Sequence, residues 1–492
     1  MTDLRIVDLA GEAQAFSDEL ADWRHELHRI PELSLSLPQT SAFVRQHLQE
    51  LGIPFRTAVD GSCVIALIGR GAQAAAAGDG TATDEEAGPT ILLRADMDAL
   101  PVAEESGEPF AATCGRMHAC GHDLHATSLL GAARLLKARE AEIAKLGTVK
   151  LVFQPGEETF LGARAAIEDG LLEAPKVDVA YASHVIAAMP LGVVAHGISV
   201  LSGVYGFRIV LTGKGCHGSA PETGVDPITA GVHVHLALQE LIAREVSAMK
   251  EVALTIGSFQ AGAAANVIPD TCVLAGTMRV FEPALMRELV ERIGELVRGV
   301  AATYRCDAQI EVINDVPPLV LDEAMVEACE GYVAAALPDA PQVGGMHNMA
   351  SEDFSLVSER VPSAYFMIGA QPTDVEQGLP QHNPGVRFAD EALPLAATAY
   401  AAVALGWLGD QASACHAAVM NERATSTSEV IATERQPSTR LETRSARIPT
   451  AAAPTMLISV EMELERLYCE RVRPRSLTIY AWKSAMQLMN VV

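Results

Sequence analysis

The 492-residue sequence has no Cys-x-x-Cys pair and no block dense in cysteine; its nine cysteines are scattered. That argues against a disulfide-stapled fold and fits a reducing compartment, so a cytoplasmic location is expected. No apolar run of 18 or more residues stands out uninterrupted by charge, and no membrane span is expected. Residues 1–20 carry acids and lack the apolar stretch of a secretory leader, so no signal peptide is expected. Basic residues are in short supply: 36 Lys and Arg stand against 62 Asp and Glu, a formal charge of −26. Such a surface repels nucleic-acid phosphates and anionic lipid, and neither is expected as a partner. A local cationic site in an acidic protein stays compatible with this balance.

What is present points to a large folded chain. Hydrophobic residues make up 49%, enough for a sizeable core. The length exceeds one ordinary core and implies two domains with additions. One stretch, Arg116-Met117-His118-Ala119-Cys120-Gly121-His122-Asp123-Leu124-His125, packs three histidines, a cysteine and an aspartate into ten residues. A thiolate and imidazoles this close suit a metal or a nucleophile. Cys120 and His122 are too close for a helical i, i+4 pair, so an ordered turn must present them, with Gly121 supplying backbone freedom. A histidine-rich loop, or a core cysteine beside a satisfied histidine, is the bland alternative. It loses ground if carboxylates complete the site.

Carboxylates do follow. The pattern predicts helices over 22–30 and 39–51, the second ending at Gly52, and a buried strand over 63–69. Residues 71–88, rich in Ala, Gly and Thr, read as a solvated loop. The strand over 91–95 runs into Asp96 and Asp98. A helix is predicted over 126–141. The strand over 148–154 runs into Pro155-Gly156-Glu157-Glu158, and that over 177–183 delivers His184. Three successive strand ends therefore present acids and a histidine at one rim of one sheet, where open α/β sheets hold ligands. A Glu-Glu pair is ordinarily a solvated charged pair; following an apolar strand, it reads as functional.

Between about 196 and 315 the order becomes β-α-β-β-α-β, the ferredoxin-like signature, read as a separate inserted domain. The α/β pattern resumes through Ser351-Glu352-Asp353-Phe354, a strand over 364–368, His382 and a final Ala-rich helix over 393–408. From about 410 the composition turns to Ser, Thr, Ala and Arg with little apolar content, and residues 410–492 are expected to be a largely disordered tail. The expected organisation is a catalytic domain over 1–195 and 316–409, an inserted domain over 196–315, and this tail.

Asp-Met-Asp-Ala-Leu-Pro, Met-His-Ala-Cys-Gly-His-Asp, Gln-Pro-Gly-Glu-Glu, Gly-Lys-Gly-Cys-His-Gly-Ser-Ala-Pro, Ala-Asn-Val-Ile-Pro-Asp and Ser-Glu-Asp-Phe occur in this order over about residues 20–408. Together they resemble the metallopeptidase family of aminoacylases, carboxypeptidases, hippurate hydrolases and indoleacetyl-amino-acid hydrolases, in its Cys-Gly-His-Asp branch. The resemblance implies an α/β, zinc-peptidase-like catalytic domain with a mixed sheet flanked by helices. It also implies an α+β lid through which the family commonly forms homodimers. It implies two divalent metal ions held by Cys120, His122, Glu158, His184 and His382, with Glu157 as catalytic base. Thiolate and imidazole ligands suit Zn²⁺, while the carboxylate keeps Mn²⁺, Co²⁺ and Ni²⁺ open. Asp96 and Asp98 would support the ligands from behind by fixing imidazole tautomers. In the same resemblance His217 would polarise the scissile carbonyl, in its own site or its partner's, while Asn266 and Arg279 would bind the substrate's carboxylate or acyl oxygen. The implied reaction is hydrolysis of an N-acyl-L-amino acid, hippurate-like, acetyl or aryl-acyl, or of a C-terminal peptide bond.

Departures from the family pattern concern the pocket. Thr159-Phe160-Leu161 follows the Glu pair where relatives have glycine, Leu35-Ser36-Leu37 stands where an acid is common, Glu222 replaces a histidine, and Cys216 replaces glycine or alanine. Two other readings compete: a hydrolase using Cys120 as thiol nucleophile on the same fold, and a metal-binding protein without turnover. Glu157 argues against the last, since binding alone needs no base beside the metal.

Overall fold

In the computed structural model, residues 6–77 and 82–433 are described. The runs Thr90–Asp96 and Thr148–Gln154 are buried at every position, which suits strands covered on both faces. They lie at the centre of an eight-stranded mixed sheet. Its order is Phe55–Ala58, Cys63–Gly69, Thr148–Gln154, Thr90–Asp96, Val179–Ile186, Ser363–Gly369, Val194–Ala195 and Gln342–Val343. Thr90–Asp96 pairs in parallel with both Thr148–Gln154 and Val179–Ile186, and Val179–Ile186 with Ser363–Gly369. These parallel pairings bring the carboxyl ends of four strands to one rim. Asp96 pairs with Gln154 there, and Met367 with His184.

The helix His122–Lys137 packs against the sheet with its residues from His122 to Ala133 buried. It starts four residues earlier than its apolar pattern suggests, because Gly121 ends the preceding turn in the left-handed region at φ 93°. A side chain at Gly121 would also come within 2.6 Å of Val185, so glycine is required there twice over. Residues 71–88, read as a loop, carry the helices Arg70–Ala77 and Asp84–Ala87. Thr83 and Glu86 close the second with a capping box, a signal present in the sequence.

A second sheet has the order Val252–Ala261, Thr271–Val280, Gly203–Thr212, Asp307–Val316, all antiparallel. The helices Pro227–Glu245 and Pro283–Thr303 share one core with it, built on Phe207, Ile209, Leu238, Leu274, Ile293 and Val297. Chain order is β-α-β-β-α-β, as the spacing predicts.

The last helix, expected to stop at Leu408, runs from Ala392 to Thr433. The start of the expected disordered tail is thus helical. The remainder of that tail, 434–492, lies outside the described residues. Among the described residues one helix, Ala392–Ala414, is long and apolar enough to cross a membrane. Most of it is buried inside the fold, as befits a core helix. Residues up to Cys415 form one compact unit.

Candidate metal centre

Each residue at the rim is aimed by backbone around it. The turn before the helix carries Cys120 and His122, packed from below by Met117, Ala119, Leu124, Val185 and Phe388. His122 Nδ1 donates to the backbone carbonyl of Asp98 at 2.8 Å, which leaves Nε2 with a free lone pair. That Nε2 is buried without a hydrogen-bond partner, 3.9 Å from Glu157 Oε2, 3.9 Å from Glu158 Oε1 and 3.8 Å from Asp96 Oδ2. His184 is fixed the same way: Nδ1 donates to Val185 O at 2.6 Å and Nε2 faces Cys120 Sγ at 3.4 Å. His382 arrives from the last third of the chain in a left-handed conformation, φ 68°. Its backbone N–H donates to Ala119 O, and its Nε2 lies 3.4 Å from Glu158 Oε1. Glu158 Oε1 has no hydrogen-bond partner.

Cys120, His122, Glu158, His184 and His382 thus converge, in overlapping sets of ligand atoms each within 4.8 Å of one another. Two buried lone pairs without donors, on His122 and Glu158, amid a thiol and further imidazoles are what a divalent cation fits. Electrostatics agree. Burial opposes charge on His122, but Asp96, Asp98 and Glu158 outweigh it and raise the imidazole to about 10. Burial and the surrounding Glu158, Glu157 and Asp96 push the Cys120 thiol well up. Negative charge crowds the site, and a cation relieves it while displacing ligand protons. A thiol held protonated is also a poor nucleophile, which weighs against the Cys120 alternative.

Glu157 is buried beside the ligands. Burial and the carboxylates of Glu352, Glu158 and Asp353 raise its proton affinity well above the usual range. Asp98 holds the pair from behind with its side chain: Oδ1 accepts from Glu157 N–H at 2.9 Å and Oδ2 from Glu158 N–H at 3.2 Å. His122 Nδ1 thus faces Asp98 twice, the backbone carbonyl at 2.8 Å and carboxylate Oδ1 at 3.6 Å. Asp96 accepts from His125 Nδ1 at 2.5 Å, and His125 Nε2 accepts from Val185 N–H. Burial opposes its charge, but Arg94, His122 and His125 hold the Asp96 carboxyl well below the usual range.

Behind this layer lies a polar hub not assigned from the sequence. Arg94, fully buried, donates to Asp96 at 2.6 Å, Glu352 at 2.8 Å, Asp353 at 2.9 Å and Gln154 at 3.1 Å. Asp353 also accepts from Gln154 Nε2 and from Ala163 N–H, both at 2.8 Å. It grips both ends of the segment that carries Glu157 and Glu158. The signal was an arginine inside an apolar strand, which needs buried acids as partners. A second hub joins His28 Nδ1 and Arg24 Nε to Asp123 Oδ2, at 2.8 and 3.0 Å, through the residue that follows His122 in the chain.

Of the remaining candidates, Arg279 lies on the second sheet, while His217 belongs to a small two-stranded sheet, Cys216–His217 with Val267–Ile268, and Asn266 immediately precedes its second strand. His217 and Asn266 sit together: Val267 pairs with His217, and Gly218 N–H donates to Asn266 O at 2.7 Å. His217 is exposed and bonded to Ser219. Arg279, opposite Val204, lies at the other end of the strand Thr271–Val280. Eight residues of extended chain from Thr271 to Arg279 span about 27 Å. The His217–Asn266 turn follows the opposite, Thr271 end, where Gly213 N–H donates to Asp270 O at 2.8 Å. The Arg279 end is the one near the rim, since Ser202 N–H donates to Ala350 O, two residues before Glu352.

The sequence profile described as peptidase family M20/M25/M40 matches residues 92–406. The IAA-amino acid hydrolase ILR1-like 2 of Arabidopsis thaliana is 34% identical over 410 residues, covering 81% of this chain and 88% of that protein. The N-acetylcysteine deacetylase of Bacillus subtilis is 32% identical, covering 80% and 97%. Among solved structures, the Bacillus subtilis YXEP protein, described as a dinuclear metal binding peptidase, superposes with a TM-score of 0.65 at 31% identity. That match covers 80% of this chain and 99% of that one.

Proposed function

The chain belongs to peptidase family M20/M25/M40, and on that footing we propose that it is a metal-dependent amidohydrolase acting on N-acyl-L-amino acids or C-terminal peptide bonds. The observation that carries the reading is the convergence of Cys120, His122, Glu158, His184 and His382 beside a buried glutamate, Glu157. These five would hold two divalent cations. Zn²⁺ suits the thiolate and imidazoles, and Mn²⁺, Co²⁺ and Ni²⁺ suit the set through Glu158. When bound, the cations supply Lewis acidity and lower the pKa of water towards about 7.

The chain's own groups do the rest. Glu157, raised in proton affinity and held by Asp98, takes a proton from the attacking water and returns it to the departing amine. Asp98 keeps the Glu157–Glu158 backbone still, and the His122 and His184 tautomers stay fixed by carbonyl acceptors. Arg279, on the rim side of the second sheet, binds the carboxylate of the substrate. His217 and Asn266 stabilise the carbonyl oxygen as it gains charge. The 27 Å estimate supports placing the last two in the site of a second copy, with the region 196–315 as lid and homodimer contact. A reducing, cytoplasmic setting suits a Cys120 ligand.

The test is a panel of N-acetyl, N-benzoyl and indoleacetyl amino acids assayed with added divalent metals. Elemental analysis of Cys120→Ala, His122→Ala, Glu158→Ala, His184→Ala and His382→Ala accompanies it. Turnover that a chelator abolishes and that metal restores is expected, with less bound metal in each variant. Full metal occupancy in His382→Ala, or loss of turnover to iodoacetamide but not to chelator, contradicts the assignment.

A further inference from the structure

His382 differs from the other four residues that would hold metal. Cys120, His122, Glu158 and His184 are buried or half-buried, and each stands on a strand or helix or within four residues of one. His382 lies midway along residues 370–391, which contain no strand or helix, and its side chain is 55% exposed. Core packing therefore does not hold it. A ligand free to swing binds metal weakly, because ordering it opposes binding.

What holds it is polar. Its backbone N–H donates to Ala119 O at 2.9 Å, next to Cys120. The residue before it, Gln381, is half-buried and donates from Nε2 to Val185 O at 2.8 Å. That carbonyl also accepts from His184 Nδ1 at 2.6 Å, so the two side chains use both of its lone pairs. The N–H of Val185 donates to His125 Nε2 at 2.9 Å, and His125 is bonded to Asp96. One residue of the central sheet thus ties His184, His125 and Gln381 together. The ligand atoms fall into sets that share Cys120: one adds His122 and His184, another Glu158 and His382. Gln381 spans these two sets, bonded to the carbonyl that aims His184 and adjoining His382 in the chain.

We propose that Gln381 is a positioning residue that fastens His382 to the carbonyl aiming His184, and so sets how tightly the chain holds the cation of the His382 set. This rests on the metal-dependent reading above and deepens it, because it names what makes an exposed histidine a firm ligand. Glutamine suits the role: its amide donates without bringing charge beside a cation, whereas lysine or arginine would repel the metal. Groups that orient a metal ligand from behind change affinity by about 10–100-fold.

The experiment reads metal binding, not turnover. Zinc is titrated by calorimetry into the chelator-stripped full chain, for wild type, Gln381→Met, His382→Ala and the double variant. Methionine keeps the length of the side chain and removes the donor. Wild type is expected to bind two zinc ions. Gln381→Met should weaken, by about tenfold or more, the same ion that His382→Ala weakens, and change the other by less. The double variant should bind zinc as His382→Ala does, because the brace acts only through His382. The melting temperature of zinc-free Gln381→Met should match that of wild type, since one half-buried contact is lost and no core packing. Two zinc ions held by Gln381→Met with wild-type affinities overturn the proposal. So does equal weakening of both ions, or a further loss in the double variant. Wild type that binds no zinc would sink the metal centre itself and this inference with it, an outcome distinct from two ions that ignore Gln381.

Discussion

His28 shows what a single residue reveals and conceals. In the sequence it reads as a helix-face residue with no special role. Its partner Asp123 lies 95 positions away, and nothing local in the sequence joins them. The residues of the metal centre were legible for the opposite reason. Cys120 and His122, or Glu157 and Glu158, are unusual pairs within a few positions, and apolar strands deliver them. Asp98 faces His122 Nδ1 with its backbone carbonyl at 2.8 Å and its carboxylate at 3.6 Å, and the same carboxylate accepts from the Glu pair, a double duty no local pattern announces. For His28, burial works against the charge, but Asp123 and Glu104 outweigh it and raise the imidazole to about 9 from an ordinary 6.5. A group raised in the folded state contributes stability fully below its unfolded pKa and loses it as pH rises through the folded one. Denaturation of the metal-loaded protein should therefore show stability declining between about pH 6.5 and 9. His28→Gln should flatten that decline, and an unchanged slope would mean that His28 is not charged in the fold.

At the scale of elements, buried strands and their rim were readable because a run such as Thr148–Gln154 is apolar at most positions and ends in Pro-Gly. Segments decided by capping or by continuation of a helix were not. The helices Arg70–Ala77 and Asp84–Ala87 stand where composition suggested a loop, and the last helix continues past Leu408 to Thr433. The segment from Pro155 to Leu161 has no regular structure of its own, so its geometry depends on its ends. Asp353 holds both of them, through Gln154 and Ala163. Asp353→Asn presents an amide N–H₂ to at least one of these donors. It should lower kcat about tenfold or more with little change in KM, the usual scale for a group that supports a site from behind. The melting temperature should fall as a buried charge-assisted contact is lost. Wild-type kcat in this variant would show that the segment holds its shape without the clamp.

For the whole molecule, chain order predicted a β-α-β-β-α-β run between about 196 and 315, and the elements follow that order around a four-stranded sheet. Distance was beyond the sequence. Asn266 and Arg279 are thirteen positions apart, yet a straight strand puts most of that length between them. In the function proposed above, two copies working together would resolve this. His217→Ala and Glu157→Gln, each inactive alone, should regain activity when mixed under conditions of subunit exchange. No recovery despite proven exchange would return His217 to its own site. The central claim, that Glu157 moves the proton at a metal centre built by the other five residues, is tested most directly by one variant. In Glu157→Gln, kcat at saturating N-acyl amino acid and bound metal are measured on the same sample. The account predicts that kcat falls by about 10² or more while both cations stay bound. A near-normal kcat with full metal would contradict it.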